Sequence, residues 1–117
     1  MSAYGEVIHD HSRHPRNYGS LENADLRAED VNPFCGDRVR IELALAPDQT
    51  IRAARFQGDL CAISKAASSL LMEMIAGSAL AEALALPDER LLDALRAAIP
   101  PARVQCALLP LRVLRTL

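Results

Sequence analysis

The chain has 117 residues and a net charge of −2; half of its residues are apolar and only 3% are aromatic. That length favours one domain, residues 1–117, with a core of aliphatic side chains. The small negative charge gives no electrostatic basis for binding nucleic acid or an anionic membrane surface, and no apolar run reaches the roughly 20 residues that span a bilayer. Because the N-terminal stretch also lacks the apolar region of a secretion signal, we expect a cytoplasmic protein.

The first predicted element is a short amphipathic helix over residues 3–13. One helical face is formed at the i, i+3, i+4, i+7 spacing by Tyr4, Val7, Ile8 and His11. Pro15 ends the helix, because the residue before a proline avoids the helical region. We expect His11 to be packed and His9 and His14 to be solvated, so these histidines do not predict a metal site.

Strands are predicted next along the chain. A weak strand is expected over residues 26–31, after a loop-rich stretch. In residues 38–45 apolar and mostly charged residues alternate, which indicates a half-buried strand with a charged outer face. A turn at residues 47–49 leads into another strand, so residues 38–57 are predicted to form a hairpin.

Helical periodicity begins after Cys61 and predicts a helix over residues 62–76, closed by Gly77. Ser78 is the expected cap of a short helix that ends at Leu86. Asp88 is the expected cap of the helix after it.

The chain is predicted to end in an apolar helix that follows the break at Pro100-Pro101, with Pro110 near its first turn. A helix, then strands, then several helices predict an α+β domain. Its helices are expected to pack on one face of a small antiparallel sheet.

Each of the three cysteines falls at a predicted junction between elements. Cys35 lies in the turn before the hairpin, Cys61 between a strand and a helix, and Cys106 between the double proline and the last helix. Such junctions can meet at one end of a sheet and are less enclosed than the middle of an element. At a helix N-terminus the dipole and free N–H groups would also favour the thiolate of Cys61.

Asp37 supplies a fourth potential ligand, two residues after Cys35 in the turn NPFCGD. Three thiolates and one carboxylate suffice for tetrahedral zinc or one iron–sulfur cluster. A carboxylate binds such ions less firmly than a thiolate, which suits temporary occupancy. The spacing alone leaves two alternatives open. The cysteines could be reactive thiols, or buried inert thiols beside an Asp37 that only caps a turn.

Three segments, in the same order along the chain, resemble the U-type iron–sulfur cluster scaffolds, the family of IscU, SufU and the N-terminal domain of NifU. They are NPFCGDRVRIEL, ARFQGDLCAISKAASSLL and IPPARVQCALLPLRVL. The opening stretch YGEVIHDHSRHPRNYGSL is similar to the first helix and turn of that family. The resemblance therefore runs from Tyr4 to about Leu114.

The resemblance implies an IscU/NifU-like fold and a scaffold function rather than enzymatic turnover. Such a protein accepts sulfur from a cysteine desulfurase, transiently binds iron or a [2Fe–2S] cluster, and passes it to downstream acceptor proteins. The implied ligands are Cys35, Asp37, Cys61 and Cys106. The chain would be a monomer or a weak homo-oligomer.

Two alternatives stay open within the resemblance. One is a zinc-containing sulfur carrier of the SufU type, in which one cysteine, Cys106 or Cys35, takes a persulfide. The other is a degenerate homologue that binds no metal.

The departures from the family pattern bear on this choice. Leu60 replaces the family's glycine before the second cysteine, and Gln105 replaces the histidine of IscU, so the fourth ligand falls to Asp37. The 44 residues between Cys61 and Cys106 leave no room for the SufU insertion. Yet the ending CALLPL is closer to SufU than to IscU.

Overall fold

The structure is a computed structural model that describes residues 5–33 and 35–117. Its elements in chain order are α1 (Glu6–Arg13), β1 (Leu26–Val31), β2 (Arg38–Leu45), β3 (Ile51–Asp59), α2 (Ala62–Ile75), α3 (Leu80–Leu84), α4 (Asp88–Ala94), a 3₁₀ turn (Pro101–Arg103) and α5 (Val104–Leu114). The predicted helix residues 3 and 4 lie outside the described part of the chain.

The three strands form one antiparallel sheet in the order β1-β2-β3. The predicted hairpin is confirmed, with β3 running two residues further than expected. In the register, Ile41 of β2 stands between Ala28 of β1 and Phe56 of β3, so these side chains share one face of the sheet.

A layer formed by α2 and α5 covers that face of the sheet, and α1 packs on α2. This confirms the predicted α+β architecture with helices on one face. Among the described residues Phe56 is the only aromatic side chain in the buried core, which is otherwise aliphatic as predicted. The loop after α1 covers the outer edge of β3, where Gly19 donates a backbone hydrogen bond to Phe56 at 2.8 Å.

Two capping predictions in the middle of the chain are wrong. Ser78 does not cap α3, because Ala79 occupies that position and the Ser78 hydroxyl donates to the Met74 carbonyl instead. Asp88 is the first helical residue of α4, and Pro87 precedes it. An acidic first turn still interacts favourably with the helix dipole, so the carboxylate helps without capping.

The position of Pro110 is also corrected. It is the seventh residue of α5 rather than part of its first turn, because the 3₁₀ turn leads directly into the helix at Val104. A proline inside a helix removes one backbone hydrogen bond and costs about 3 kcal/mol. Pro110 is itself buried, as are seven other residues of α5, and this packing offsets the local cost.

Glu42 lies on the outer face of β2, as the alternation predicts, but it is buried rather than solvated. Its carboxylate accepts a hydrogen bond from the backbone N–H of Leu21 at 2.7 Å and pairs with Arg27 at 3.0 Å and Arg40 at 2.9 Å. Burial works against the charge, but these partners hold the pKa of Glu42 below its ordinary value. Glu42 thereby ties the loop before β1 to the sheet.

Candidate metal centre

The turn that carries Cys35 and Asp37 is closed by its own backbone. The N–H of Asn32 donates to the carbonyl of Asp37 at 2.7 Å, and the N–H of Gly36 donates to the carbonyl of Asn32 at 2.8 Å. Gly36 has φ of 76°, a conformation that glycine adopts without steric cost. The turn leaves Cys35 exposed and Asp37 buried. Phe34, which directly precedes Cys35 in the sequence, lies outside the described residues.

Cys61 occupies the N-cap position of α2, which agrees with its predicted place at a helix N-terminus. The backbone N–H of Ser64 lies 3.5 Å from the Cys61 sulfur and donates to it. The sulfur therefore replaces the oxygen acceptor that usually satisfies a free amide at this position. Its side chain is half-buried.

Cys106 differs from prediction in two respects. It lies inside the first turn of α5 rather than before that helix, and it is buried, with 2% of its surface exposed. The reason is tertiary: α5 packs against β1, β2 and α2, so the inner side of its first turn is covered. The side-chain amide of Asn32, itself 1% exposed, donates to the Cys106 sulfur at 3.9 Å.

The fold brings three of the four predicted ligands together. The candidate ligand atoms of Cys35, Asp37 and Cys106 all lie within 4.8 Å of one another. The Cys106 thiol donates to the Cys35 sulfur at 3.3 Å. In the described part of the chain no other group of three cysteine, histidine or acidic side chains converges in this way.

Cys61 lies outside this group of three but is linked to it by one side chain. The hydroxyl of Ser64 donates to Oδ2 of Asp37 at 2.8 Å and lies 3.3 Å from the sulfur of Cys61. Ser64 is completely buried. One hydroxyl thus links the fourth predicted ligand to Asp37.

The pKa of Cys106 is raised to about 12, and burial is the largest cause. The hydrogen bond that Cys106 donates to Cys35 and the nearby charges of Cys61, Cys35 and Asp37 account for the rest of this rise. The group formed by Cys35, Asp37 and Cys106 therefore keeps at least one proton, on Cys106, at neutral pH. A bound cation would replace that proton and neutralise the mutual repulsion of the thiolates.

The donor set fits a thiophilic cation or an iron–sulfur cluster. Thiolates are the ligands that zinc and iron–sulfur clusters prefer, and a carboxylate can complete the tetrahedral set. A cleft of about 390 Å³ opens beside the cluster, lined by Asn32, Cys35, Ala102, Arg103, Gln105 and Cys106. Cys35 is therefore accessible from solvent through this cleft.

The remaining residues singled out in the sequence have other contacts. The side-chain amide oxygen of Gln105 accepts a hydrogen bond from Arg112 at 3.1 Å, and Leu60 packs against the core. His11 is buried, and its Nδ1 is hydrogen-bonded to the hydroxyl of Ser69 at 2.7 Å. His9 and His14 are exposed, as expected.

Sequence reasoning missed Asn32 and Ser64, which are buried and hydrogen-bond to cysteine sulfur atoms. A signal for Ser64 exists, because a residue three positions after an N-cap faces it, as in a capping box. For Asn32 the sequence offers only its place before Pro33, at the start of a turn.

Comparison with known proteins places the chain in a family. The model of the NifU-like N terminal domain matches residues 3–116. The scaffold protein IscU of Escherichia coli is 34% identical over 113 residues, covering 92% of this chain and 84% of that protein. The zinc-dependent sulfurtransferase SufU of Bacillus subtilis is 39% identical over 83 residues, covering 71% of this chain and 55% of SufU.

Solved structures agree with this placement. The crystal structure of FiSufU, a SUF-system protein of the thermophile Fervidobacterium islandicum AW-1, superposes with a TM-score of 0.82 at 29% identity. The alignment covers 97% of this chain and 94% of FiSufU. The N-terminal NifU-like protein of Brucella abortus, at 19% identity and a TM-score of 0.76, shares the fold.

The fold and the cysteine cluster thus define a protein of the U-type scaffold class. The chain belongs to the NifU-like N-terminal domain family. Among its described helices none has the length and apolarity to cross a bilayer.

Proposed function

We propose that this chain is an iron–sulfur cluster assembly scaffold, acting as one domain, that transiently holds iron or a [2Fe–2S] cluster as its cargo. The observation that carries the proposal is the convergence of Cys35, Asp37 and Cys106 within 4.8 Å. Cys61 completes the donor set from the far side of the Ser64 hydroxyl. The names of the IscU relatives support the same function.

The geometry suits release as much as binding. Cys35 is exposed at the cleft, so a cluster seated on it stays accessible to an acceptor protein. Asp37 is the weakest donor of the four for a thiophilic cargo, since a carboxylate is a harder ligand than a thiolate. We infer that Asp37 keeps the cargo exchangeable.

The test is elemental analysis for zinc, iron and acid-labile sulfide on untagged protein purified without oxygen. We expect metal in the wild-type protein and its loss in Cys35→Ser. His9→Asn, which removes an exposed histidine outside the cluster, is the matched control and should keep the metal. Iron with sulfide supports the scaffold. Wild-type protein without any metal, even after anaerobic reconstitution, would point instead to a degenerate homologue.

A second function, sulfur acceptance, is favoured by the contrast between two cysteines. Cys35 is exposed, whereas Cys106 is buried and its raised pKa keeps it protonated, which makes it a poor nucleophile. We propose that the Cys35 thiolate attacks the outer sulfur of a persulfide on a cysteine desulfurase. The sulfur–sulfur bond breaks, the desulfurase cysteine leaves as a thiolate, and Cys35 carries the persulfide. The name of the Bacillus subtilis relative supports such a sulfurtransferase role, with zinc in the site.

Intact mass spectrometry after incubation with a cysteine desulfurase and cysteine tests this step. One additional sulfur atom is expected on wild-type protein and on Cys106→Ser, and none on Cys35→Ser. A persulfide that persists in Cys35→Ser would contradict the assignment.

The cellular setting forms part of the proposal. Free thiols at all three cysteines suit a reducing compartment such as the cytoplasm. The implied partners are a cysteine desulfurase and iron–sulfur acceptor proteins, and the working form is a monomer or a weak homo-oligomer.

A further inference from the structure

Ser64 is a buried polar residue whose side chain contacts two of the proposed ligands. Its hydroxyl lies 2.8 Å from Oδ2 of Asp37 and 3.3 Å from the sulfur of Cys61. Its backbone N–H donates to the same sulfur at 3.5 Å. Ser64 has no surface exposed to bulk solvent.

The Ser64 hydroxyl has a single proton to donate, and the distances indicate which neighbour accepts it. The carboxylate of Asp37 is the closest and most strongly accepting neighbour, so the hydroxyl donates there. A charge-assisted bond of this kind fixes the orientation of a carboxylate. The sulfur of Cys61 accepts a hydrogen bond from the backbone N–H of Ser64 instead.

The placement of Ser64 follows from the helix. It stands three residues after Cys61, the N-cap of α2, and Asp37 reaches the same point from the turn before β2. The residue one turn further along, Ser68, is also completely buried, but its hydroxyl donates to the Ser64 carbonyl at 2.8 Å. The two serines therefore match in helix, burial and chemistry and differ in their contacts with the ligands.

We propose that Ser64 is a positioning residue. Its hydroxyl orients Asp37 while its backbone N–H holds the sulfur of Cys61, so that the turn and the helix present their ligands together. This inference rests on the proposed metal-binding function. Side chains that hydrogen-bond to metal ligands orient them, and their removal typically weakens metal binding about 10- to 100-fold.

Zinc affinity, measured by competition with a chromophoric chelator, tests the role. Ser64→Ala should weaken zinc binding about 10- to 100-fold, whereas Ser68→Ala should bind like the wild type. Cobalt substitution gives an independent spectroscopic signature, since the ligand-field absorption of Co²⁺ depends on how the Asp37 oxygen is placed among its ligands. That absorption should change in Ser64→Ala only.

A double-mutant cycle separates positioning from a general packing effect. If Ser64 acts through Asp37, then Ser64→Ala should cause a much smaller loss of affinity in an Asp37→Ala background than alone. Equal losses in both backgrounds would overturn the proposal. If Ser64→Ala does not fold, Ser64→Thr and Ser64→Val replace it, since they share one shape and only the threonine keeps the hydroxyl. Tighter zinc binding by the threonine variant is then the expected result.

The outcomes distinguish this inference from the proposed function. Zinc binding that is equal in wild type, Ser64→Ala and Ser68→Ala would overturn the role of Ser64 and leave the scaffold function standing. A wild-type protein that binds no zinc, iron or cobalt would overturn both.

Discussion

The sulfur atoms of Cys35 and Cys106 lie 3.3 Å apart, although 71 positions separate the two residues in the sequence. A disulfide needs a separation of about 2 Å, so a small movement would join them. We predict that diamide oxidises the metal-free protein to a Cys35–Cys106 disulfide and leaves Cys61 as a free thiol. Zinc added beforehand should block the reaction, because the thiolates are then ligands.

Peptide mapping by mass spectrometry without reduction checks this prediction. Cys61→Ser is the control and should form the same disulfide, whereas Cys35→Ser should not. A cross-link that involves Cys61 as the main product would contradict the distances in the structure.

Removal of the metal is expected to destabilise the fold. A ligand that binds only the folded state adds about 4 kcal/mol when its free concentration is a thousand times Kd. The turn before β2, the start of α2 and the start of α5 would all be joined by one ion. We predict that chelation lowers Tm on the order of 10 °C, as measured by differential scanning calorimetry.

The control for this measurement is Cys35→Ser, whose Tm should not respond to the chelator. If the Tm of the wild-type protein is unchanged after elemental analysis has confirmed the loss of metal, metal binding is not coupled to folding.

His11 is predicted to make stability depend on pH. Burial lowers the pKa of His11 below its ordinary value of 6.5, and the neighbouring charge of Arg16 lowers it further, against the opposing charges of Glu73 and Asp10. The unfolded chain therefore binds this proton more tightly than the folded one. The contribution of His11 is complete above pH of about 6.5 and is lost as pH falls through the lower pKa of the folded state.

Urea unfolding of metal-free protein between about pH 7.5 and pH 5.5 tests this sign. His11→Asn removes the titration and should flatten the pH dependence. His9→Asn, on the same helix but exposed, should follow the wild type. A steeper fall in His11→Asn than in the wild type would contradict the prediction.

Glu42 is expected to contribute more to stability than its outward position suggests. It is 2% exposed and accepts the Leu21 N–H while pairing with Arg27 and Arg40. Glu42→Ala leaves a partly buried amide without its acceptor and should lower the free energy of unfolding by about 1–3 kcal/mol. Urea unfolding at pH 7 measures the change.

The matched control is Glu29→Ala on the neighbouring strand. Glu29 pairs with Arg38 at 3.8 Å, with both side chains about half exposed, so its loss should cost less than about 1 kcal/mol. Equal losses from the two substitutions would mean that burial does not distinguish the two carboxylates.

Much of the fold could be predicted from the sequence because short-range patterns determine where most strands and helices form. Period-two alternation located β2, the turn after it predicted β3, and helical spacing located α2 to within one residue of its end. The motif around Cys35 and Asp37 identified the candidate ligands together with Cys61 and Cys106. The NifU-like family match and the solved structures confirm the kind of protein that these motifs indicated.

Long-range packing accounts for what sequence reasoning got wrong or did not see. Pro110 lies in the middle of α5 because the surrounding core outweighs a local penalty, and Cys106 is buried because the same helix is covered on its inner side. Ser64 bridges Asp37 and Cys61 only because α2 meets the turn before β2. Contacts between residues that are distant in the sequence leave no periodic pattern in it. The candidate ligands could therefore be listed from the sequence, but the distances between them, their burial and their hydrogen bonds are determined by the fold.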